Sequence, residues 1–425
     1  MALASGRGCT SPETKSPVPF GRPMRQLFLF DDNYVNLNHE ARPDQFIRYD
    51  LPRLLDQSRM LIAEYLHAPV EEVVFVPNAT TAFNTVLRNL SYIAGDHIVY
   101  ASTIYGACEK TIQYICETTP ATSVKVDYDY TLSGDDLVNR YRHTIRGVRT
   151  TGGRVKLAIF EVVASLPGAR LPFEKLTEMC AQEGVLSVID GAHAPGQVPI
   201  HLGGLQPDFW FGNCHKWLFA PRACAVLYVP VRHQALMRSS LPTSHGFIPR
   251  GGSAINNPLP PSNKSEFVSQ FEFTGANDAS PYLCIRQCLE FINIVCGGEG
   301  RVRHYCETLA RSGGALVAKM LGTRVMDNED ETLQNCFFSN VQLPLVVGDG
   351  SGLIRATDIG AVSNFLSQRF VDDYGTFMAT VFTAGSWWVR LSASIYLEMD
   401  DFEWGGRVLQ DICRRIRDGE YQQHI

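Results

Sequence analysis

Apolar residues recur along this chain with two periods. Leu54, Leu55, Met60, Leu61, Ala63 and Leu66 fall at helical spacing and predict an amphipathic helix over Leu51 to Leu66. Val73 to Val76 is a short continuous apolar run, which predicts a buried strand. A turn at Pro77 and Asn78 then opens a helix through about Leu90. The pattern repeats, with strands at 97–101, 123–128, 155–163 and 185–189 and helices at 107–116, 135–148 and 172–183 between them. Short buried strands alternating with helices in this way predict an α/β protein with a parallel sheet covered on both faces. Phe209 to Phe211 and Arg222 to Val229 read as two further strands. The Gly-, Pro- and Asn-rich stretch from Gly251 to Lys264 reads as a long irregular loop.

Beyond the loop the balance shifts towards helices, at 282–295, 301–321, 357–374 and 397–416, with strands at 336–343 and 377–382. This divides the chain into a tail at 1–20, an N-terminal segment at 21–50, a large domain at 51–280 and a smaller α+β domain at 281–425.

Composition narrows the function classes. Charged residues make up 19% and hydrophobic residues 45%, as in an ordinary globular protein. A net charge of −6 gives no support for binding nucleic acid or an anionic membrane. No run of apolar residues is long enough to span a bilayer. Residues 1–20 are rich in Ser, Pro, Thr and Gly and lack the apolar stretch of a secretory signal, so they read as a disordered tail. The twelve cysteines show no paired C-x-x-C spacing and read as reduced thiols of a cytoplasmic protein, with no metal site. No Gly-x-Gly-x-x-Gly or P-loop motif occurs.

The candidate chemistry lies between residues 190 and 217. The strand at 185–189 runs into Asp190-Gly191-Ala192-His193, and α/β proteins place ligands at such strand ends. The strand at 209–211 runs into Gly212-Asn213-Cys214-His215-Lys216-Trp217. A lysine in that apolar and aromatic setting is costly unless it is paired or used. A strand-end acid facing a lysine is the pair that pyridoxal phosphate (PLP) requires. The lysine bonds covalently to the cofactor aldehyde, and the carboxylate holds the pyridine nitrogen protonated.

Asp190-Gly191-Ala192-His193, then Pro207-Asp208, then His215-Lys216-Trp217, resembles the class V aminotransferase group of fold-type I PLP enzymes. That group includes cysteine desulfurases, isopenicillin N epimerase-like proteins and C–S lyases. The resemblance implies a mainly parallel seven-stranded sheet, a smaller C-terminal domain and a homodimer with shared active sites. It makes Lys216 the cofactor lysine and Asp190 the partner of the ring nitrogen, with His193 and His215 beside them. The turn Asn78-Ala79-Thr80 opens a helix and reads either as a plain N-cap or as an anion site; the resemblance favours the cofactor phosphate.

The same resemblance places Tyr105 over the ring, as a proton donor to a leaving sulfur group, where the residues alone allow a plain loop aromatic. Thr274, within Phe271-Glu272-Phe273-Thr274-Gly275, matches a segment that reaches the phosphate of a neighbouring subunit. Arg390, in Trp387-Trp388-Val389-Arg390-Leu391-Ser392, matches an arginine that clamps the substrate carboxylate; a surface salt bridge is the alternative. Ser165 and Asn38 are implied substrate contacts. The wording Thr103-Ile104-Tyr105-Gly106-Ala107-Cys108 is similar to the C–S lyases that finish ergothioneine synthesis in fungi. The expected reaction is therefore β-elimination from a cysteine-derived substrate such as hercynylcysteine sulfoxide. Epimerisation or transamination by the same machinery is one alternative, and a non-catalytic homologue is another. The chain departs from its relatives after Asn38-His39: where they continue with a Gly-Ser-x-Gly turn and a helix, it runs straight into Glu40-Ala41-Arg42-Pro43.

Overall fold

The computed structural model describes Pro19, Pro23 and residues 43–251, 255–350 and 353–424. Asn38 and nearly all of the tail expected at 1–20 lie outside the described residues. The chain forms two compact units, Met1–Arg53 and Leu54–Ile425. The described part of the first contains the helical turn Pro43–Gln45, which continues as a π-helical turn over Phe46–Asp50.

The second unit is built on a seven-stranded sheet. In chain order its strands and their neighbours are β1 (Val73–Val76), β2 (Asp96–Ala101), β3 (Thr122–Val126), β4 (Arg154–Glu161), the short antiparallel pair β5 (Val163–Ala164) and β6 (Ala169–Arg170), β7 (Leu186–Asp190), β8 (Phe209–Asn213) and β9 (Ala225–Tyr228). The spatial order in the large sheet is β3-β2-β4-β7-β8-β9-β1. Its strands are parallel except β9, which runs antiparallel to both of its neighbours.

Both faces are covered, as the unbroken apolar runs require. Ile98, Leu157, Ile159, Val188, Phe209 and Phe211 join a core with the helices Ala79–Asn89 and Gly106–Thr118. Alternate residues point the other way: Phe160 packs edge-on against Tyr141 of the helix Gly134–Thr150. Because the strands are parallel, their C-terminal ends share one edge. Glu161, Asp190 and Phe211 are register neighbours there.

A second sheet, β10 (Phe338–Gln342), β11 (Ala379–Thr383) and β12 (Ser386–Ser392), has the order β10-β12-β11 and is antiparallel throughout. Trp387, Val389 and Leu391 face a core made with the helices Glu299–Leu321, Ile359–Tyr374 and Met399–Arg417. Strand alternation turns Trp388, Arg390 and Ser392 to the opposite face. The helix expected over 282–295 is broken instead into Ser280–Leu283, Ile285–Glu290 and a π-helical turn, Phe291–Val295. Cys284 sits between the first two with ψ of −5°, too open to carry an α-helical turn forward. No helix among the described residues is long and apolar enough to cross a membrane.

Candidate active site

Asp190 ends β7 and is almost fully buried, at 4% exposure. Its Oδ1 accepts the Ala192 amide at 2.8 Å, and Cys108 Sγ lies 3.6 Å from Oδ2. Burial raises its carboxyl above the usual range, while the Ala192 amide and the Lys216 charge pull it back. Glu161, its register neighbour on β4, is driven well up by burial and by Asp190. Two buried carboxyls side by side cannot both ionise cheaply, and of the pair Glu161 is pushed up the further.

β8 ends at Asn213 and passes into one helical turn, Cys214–Trp217. That turn points Lys216 back to the strand-end edge, where Nζ lies 2.8 Å from His193 Nε2. Burial lowers Lys216 to about 8; Asp190 opposes the shift and Arg390 adds to it. Burial and the Lys216 and Arg390 charges keep His193 neutral, well below its ordinary value. His215 is fixed through Nδ1, 2.8 Å from the Cys224 carbonyl, and burial lowers it as well.

At the helix Ala79–Asn89, Asn78 is the N-cap, and its Oδ1 accepts the Thr81 amide at 2.8 Å. The Ala79 amide is also used, since it donates to Asn213 Oδ1 at 2.9 Å. The Thr80 amide, on an exposed residue, is the first-turn N–H left to meet an anion, with the helix dipole behind it. The Ala79 amide is therefore taken up by the scaffold, and the Thr80 amide is the one left open at this helix start.

Arg390 projects from β12 across the chain segment that follows β4. Its Nη1 donates to the Ser165 carbonyl, and its guanidinium stands 4.5 Å from the centre of the Phe338 ring. Its Nε is buried with no hydrogen-bond partner, and no carboxylate pairs with it among the described residues. Gly168 permits this approach. A Cβ there would lie 2.6 Å from the Phe338 ring and 2.7 Å from Arg390 Cδ. Asn340 clasps the same glycine, accepting its amide at 2.9 Å and donating to its carbonyl at 2.8 Å.

Asn78, His193, His215, Lys216, Trp217, Phe338 and Arg390 line one open cleft of about 540 Å³, large enough for a small cofactor with an amino-acid substrate. Ser165 borders it through its carbonyl, which accepts from Arg390. Tyr105 caps the helix Gly106–Thr118 and is half exposed, and it does not line the cleft. Thr274 lies in the bend after the helix Glu266–Glu272 and is also absent from the cleft of its own chain. Among the described residues no cluster of His, Cys, Asp and Glu is placed to hold a metal ion.

Sequence reasoning missed Asn213, Trp217, Phe338 and Asn340 as site residues. Asn213 ends β8 as Asp190 ends β7, so the same strand-end rule marks it. Phe338 and Asn340 carry no local signal, because only tertiary packing brings β10 to the cleft.

The sequence model of the aminotransferase class V family matches residues 38–248. The chain is 36% identical to the L-cysteine desulfhydrase-like protein lolT1 of Epichloe uncinata, over 96% of this chain and 98% of that one. It is 25% identical to the hercynylcysteine sulfoxide lyase of Schizosaccharomyces pombe, over 93% and 98%. Among solved structures, the cystine C–S lyase C-DES superposes with a TM-score of 0.65 at 16% identity, covering 86% of this chain and 87% of that one. The Escherichia coli cysteine desulfurase CsdA superposes with a TM-score of 0.65 at 15% identity, covering 89% and 88%. The fold is the α/β architecture expected of fold-type I enzymes, and the chain belongs to the aminotransferase class V family.

Proposed function

We propose that this chain is a PLP-dependent C–S lyase that eliminates a sulfur group from Cβ of a cysteine-derived amino acid. One observation carries the reading: Lys216, whose ammonium is disfavoured, and the half-buried Arg390, which has no carboxylate partner among the described residues, open on one cleft beside the buried strand-end carboxylate of Asp190. Cations so poorly compensated are retained where a ligand completes them.

The residues present fit the cofactor. Asp190 would hold the pyridine nitrogen, the Thr80 amide and its helix N-terminus would receive the phosphate, and Lys216 would bond to the aldehyde. When bound, PLP supplies an electron sink conjugated to the substrate Cα. Arg390 offers its guanidinium to the substrate carboxylate, as a planar fork that stays charged. That grip, together with the Phe338 ring, orients the Cα–H bond towards Lys216. Once free, Lys216 is a neutral amine within reach of physiological pH and accepts the Cα proton. Breaking the Cβ–S bond then releases the sulfur fragment, which takes up a proton, and the enamine left on Cα and Cβ reacts with water to give pyruvate and ammonia.

The C–S lyase and desulfhydrase-like names among its relatives support elimination over epimerisation. Tyr105 is the proposed proton donor to the leaving group on the strength of the resemblance; it lies outside the cleft, so this role requires its side chain to turn in from the start of the helix Gly106–Thr118. Thr274 is proposed to reach the cleft of a second copy in a homodimer, in keeping with its absence from the cleft of its own chain. A cysteine conjugate or sulfoxide such as hercynylcysteine sulfoxide is the proposed substrate class. The test is pyruvate release from L-cysteine, S-substituted cysteines and their sulfoxides. Exchange of the Cα hydrogen with solvent, with no pyruvate from any of them, would assign the chain to epimerisation or transamination instead.

A further inference from the structure

Trp217 follows Lys216 directly, and its indole turns back onto the histidine that the lysine touches. Trp217 Nε1 lies 3.2 Å from His193 Nδ1, and His193 Nε2 lies 2.8 Å from Lys216 Nζ. An indole nitrogen is a donor only, so His193 Nδ1 accepts. A neutral imidazole carries a single N–H, which must then sit on Nε2. An ammonium has no lone pair to receive that hydrogen; a neutral amine does. The imidazolium alternative would set an Nδ1–H against the indole N–H, with two donors facing each other.

We propose that Trp217 is a positioning residue: its indole N–H fixes His193 as the Nε2–H tautomer, and that N–H donates to Lys216 Nζ and favours the neutral amine over the ammonium. The inference rests on the reading of Lys216 as the cofactor lysine and adds the device that prepares it. A neutral amine is the form that can attack an aldehyde or accept a proton from carbon.

The indole is held firmly enough for this role. It packs edge-on against Phe337 and Phe338, each 5.4 Å away between ring centres. Gly196, at φ +84°, lies directly under the Trp217 carbonyl, where a Cβ would come within 2.2 Å of the oxygen. The other groups around Lys216 pull in both directions. Asp190 from β7, Glu161 from β4 and Cys108 from the helix Gly106–Thr118 favour the ammonium, while burial and Arg390 from β12 favour the amine. The histidine N–H adds to the second set.

The test uses the full chain freed of PLP, with brief acetylation at a series of pH values and mass spectrometry of the Lys216 peptide. The wild type is expected to reach half-maximal labelling near pH 8. Trp217→Phe keeps the ring and removes the donor, and it is expected to move that midpoint up by about one unit, roughly a tenfold slower labelling at neutral pH. An unchanged midpoint overturns the proposal. If Trp217→Phe does not fold, ¹⁵N-histidine spectra of the unmutated chain decide. The Nε2–H tautomer of His193 at neutral pH supports the proposal, and the Nδ1–H tautomer or an imidazolium overturns it. PLP uptake by the same samples reports separately on Lys216 as the cofactor lysine.

Discussion

Arg390 stands over the ring of Phe338, 4.5 Å from its centre, with a single backbone carbonyl as its polar partner. A guanidinium so placed is held by an aromatic face and left open at its charged edge. Arg390→Ala is expected to cost about 2–5 kcal/mol in kcat/KM for amino-acid substrates, mostly as a rise in KM. Binding of a substrate analogue without the carboxylate should barely change. Kinetics on such a matched pair checks this; equal losses on both would show that Arg390 supports the fold and not the carboxylate.

Burial holds Lys216 at about 8, below the ordinary lysine value of 10.5. Between these values the folded chain binds fewer protons than the unfolded chain, so stability rises with pH across that window and the penalty is complete below it. Lys216→Met removes a poorly compensated charge. It is expected to stabilise the PLP-free chain modestly at pH 7, because solvent at the exposed lysine screens much of the penalty, with no gain above the ordinary lysine value. Denaturant unfolding at neutral and at high pH measures both.

Asp208 shows a different use of charge. Its Oδ2 accepts the Ser187 amide at 2.9 Å, and its Oδ1 meets His233 Nε2 at 2.6 Å, which ties β7 to the turn Val231–Gln234. Burial alone would raise this carboxyl, but His233, the Ser187 amide and Arg232 together hold it below the usual carboxylate range. Its contribution is therefore present in full above the unfolded carboxylate value and is lost as pH falls through the lowered folded one. Asp208→Asn is expected to destabilise the chain by about 1–3 kcal/mol at neutral pH and to flatten the acid limb of its stability curve, measured by thermal unfolding.

The contrast between Asp190 and Asp208 marks how far the sequence could be read. Both stood in one recognisable motif, and both lie at the large sheet. Only the strand-end rule, together with burial among apolar neighbours, singled out Asp190 as the site acid. The alternation of apolar runs was enough to place the parallel sheet, because buried parallel strands leave few other readings. The second wall of the cleft was legible only at Arg390, and there through the family resemblance, since the residues alone left a surface salt bridge equally open. Phe338 and Asn340 looked like ordinary strand residues, since their role comes from packing against Gly168 across the fold. The use of the Ala79 amide by Asn213 was hidden for the same reason: it joins two strand ends far apart in sequence.

The assignment of Lys216 as the cofactor lysine is tested most directly by borohydride reduction of the PLP-loaded protein, followed by peptide mass spectrometry. A pyridoxyl adduct on the Lys216 peptide, and no adduct in Lys216→Ala, is the expected result. Stoichiometric PLP attached to another lysine, or no adduct in a wild-type chain that binds PLP, would contradict it.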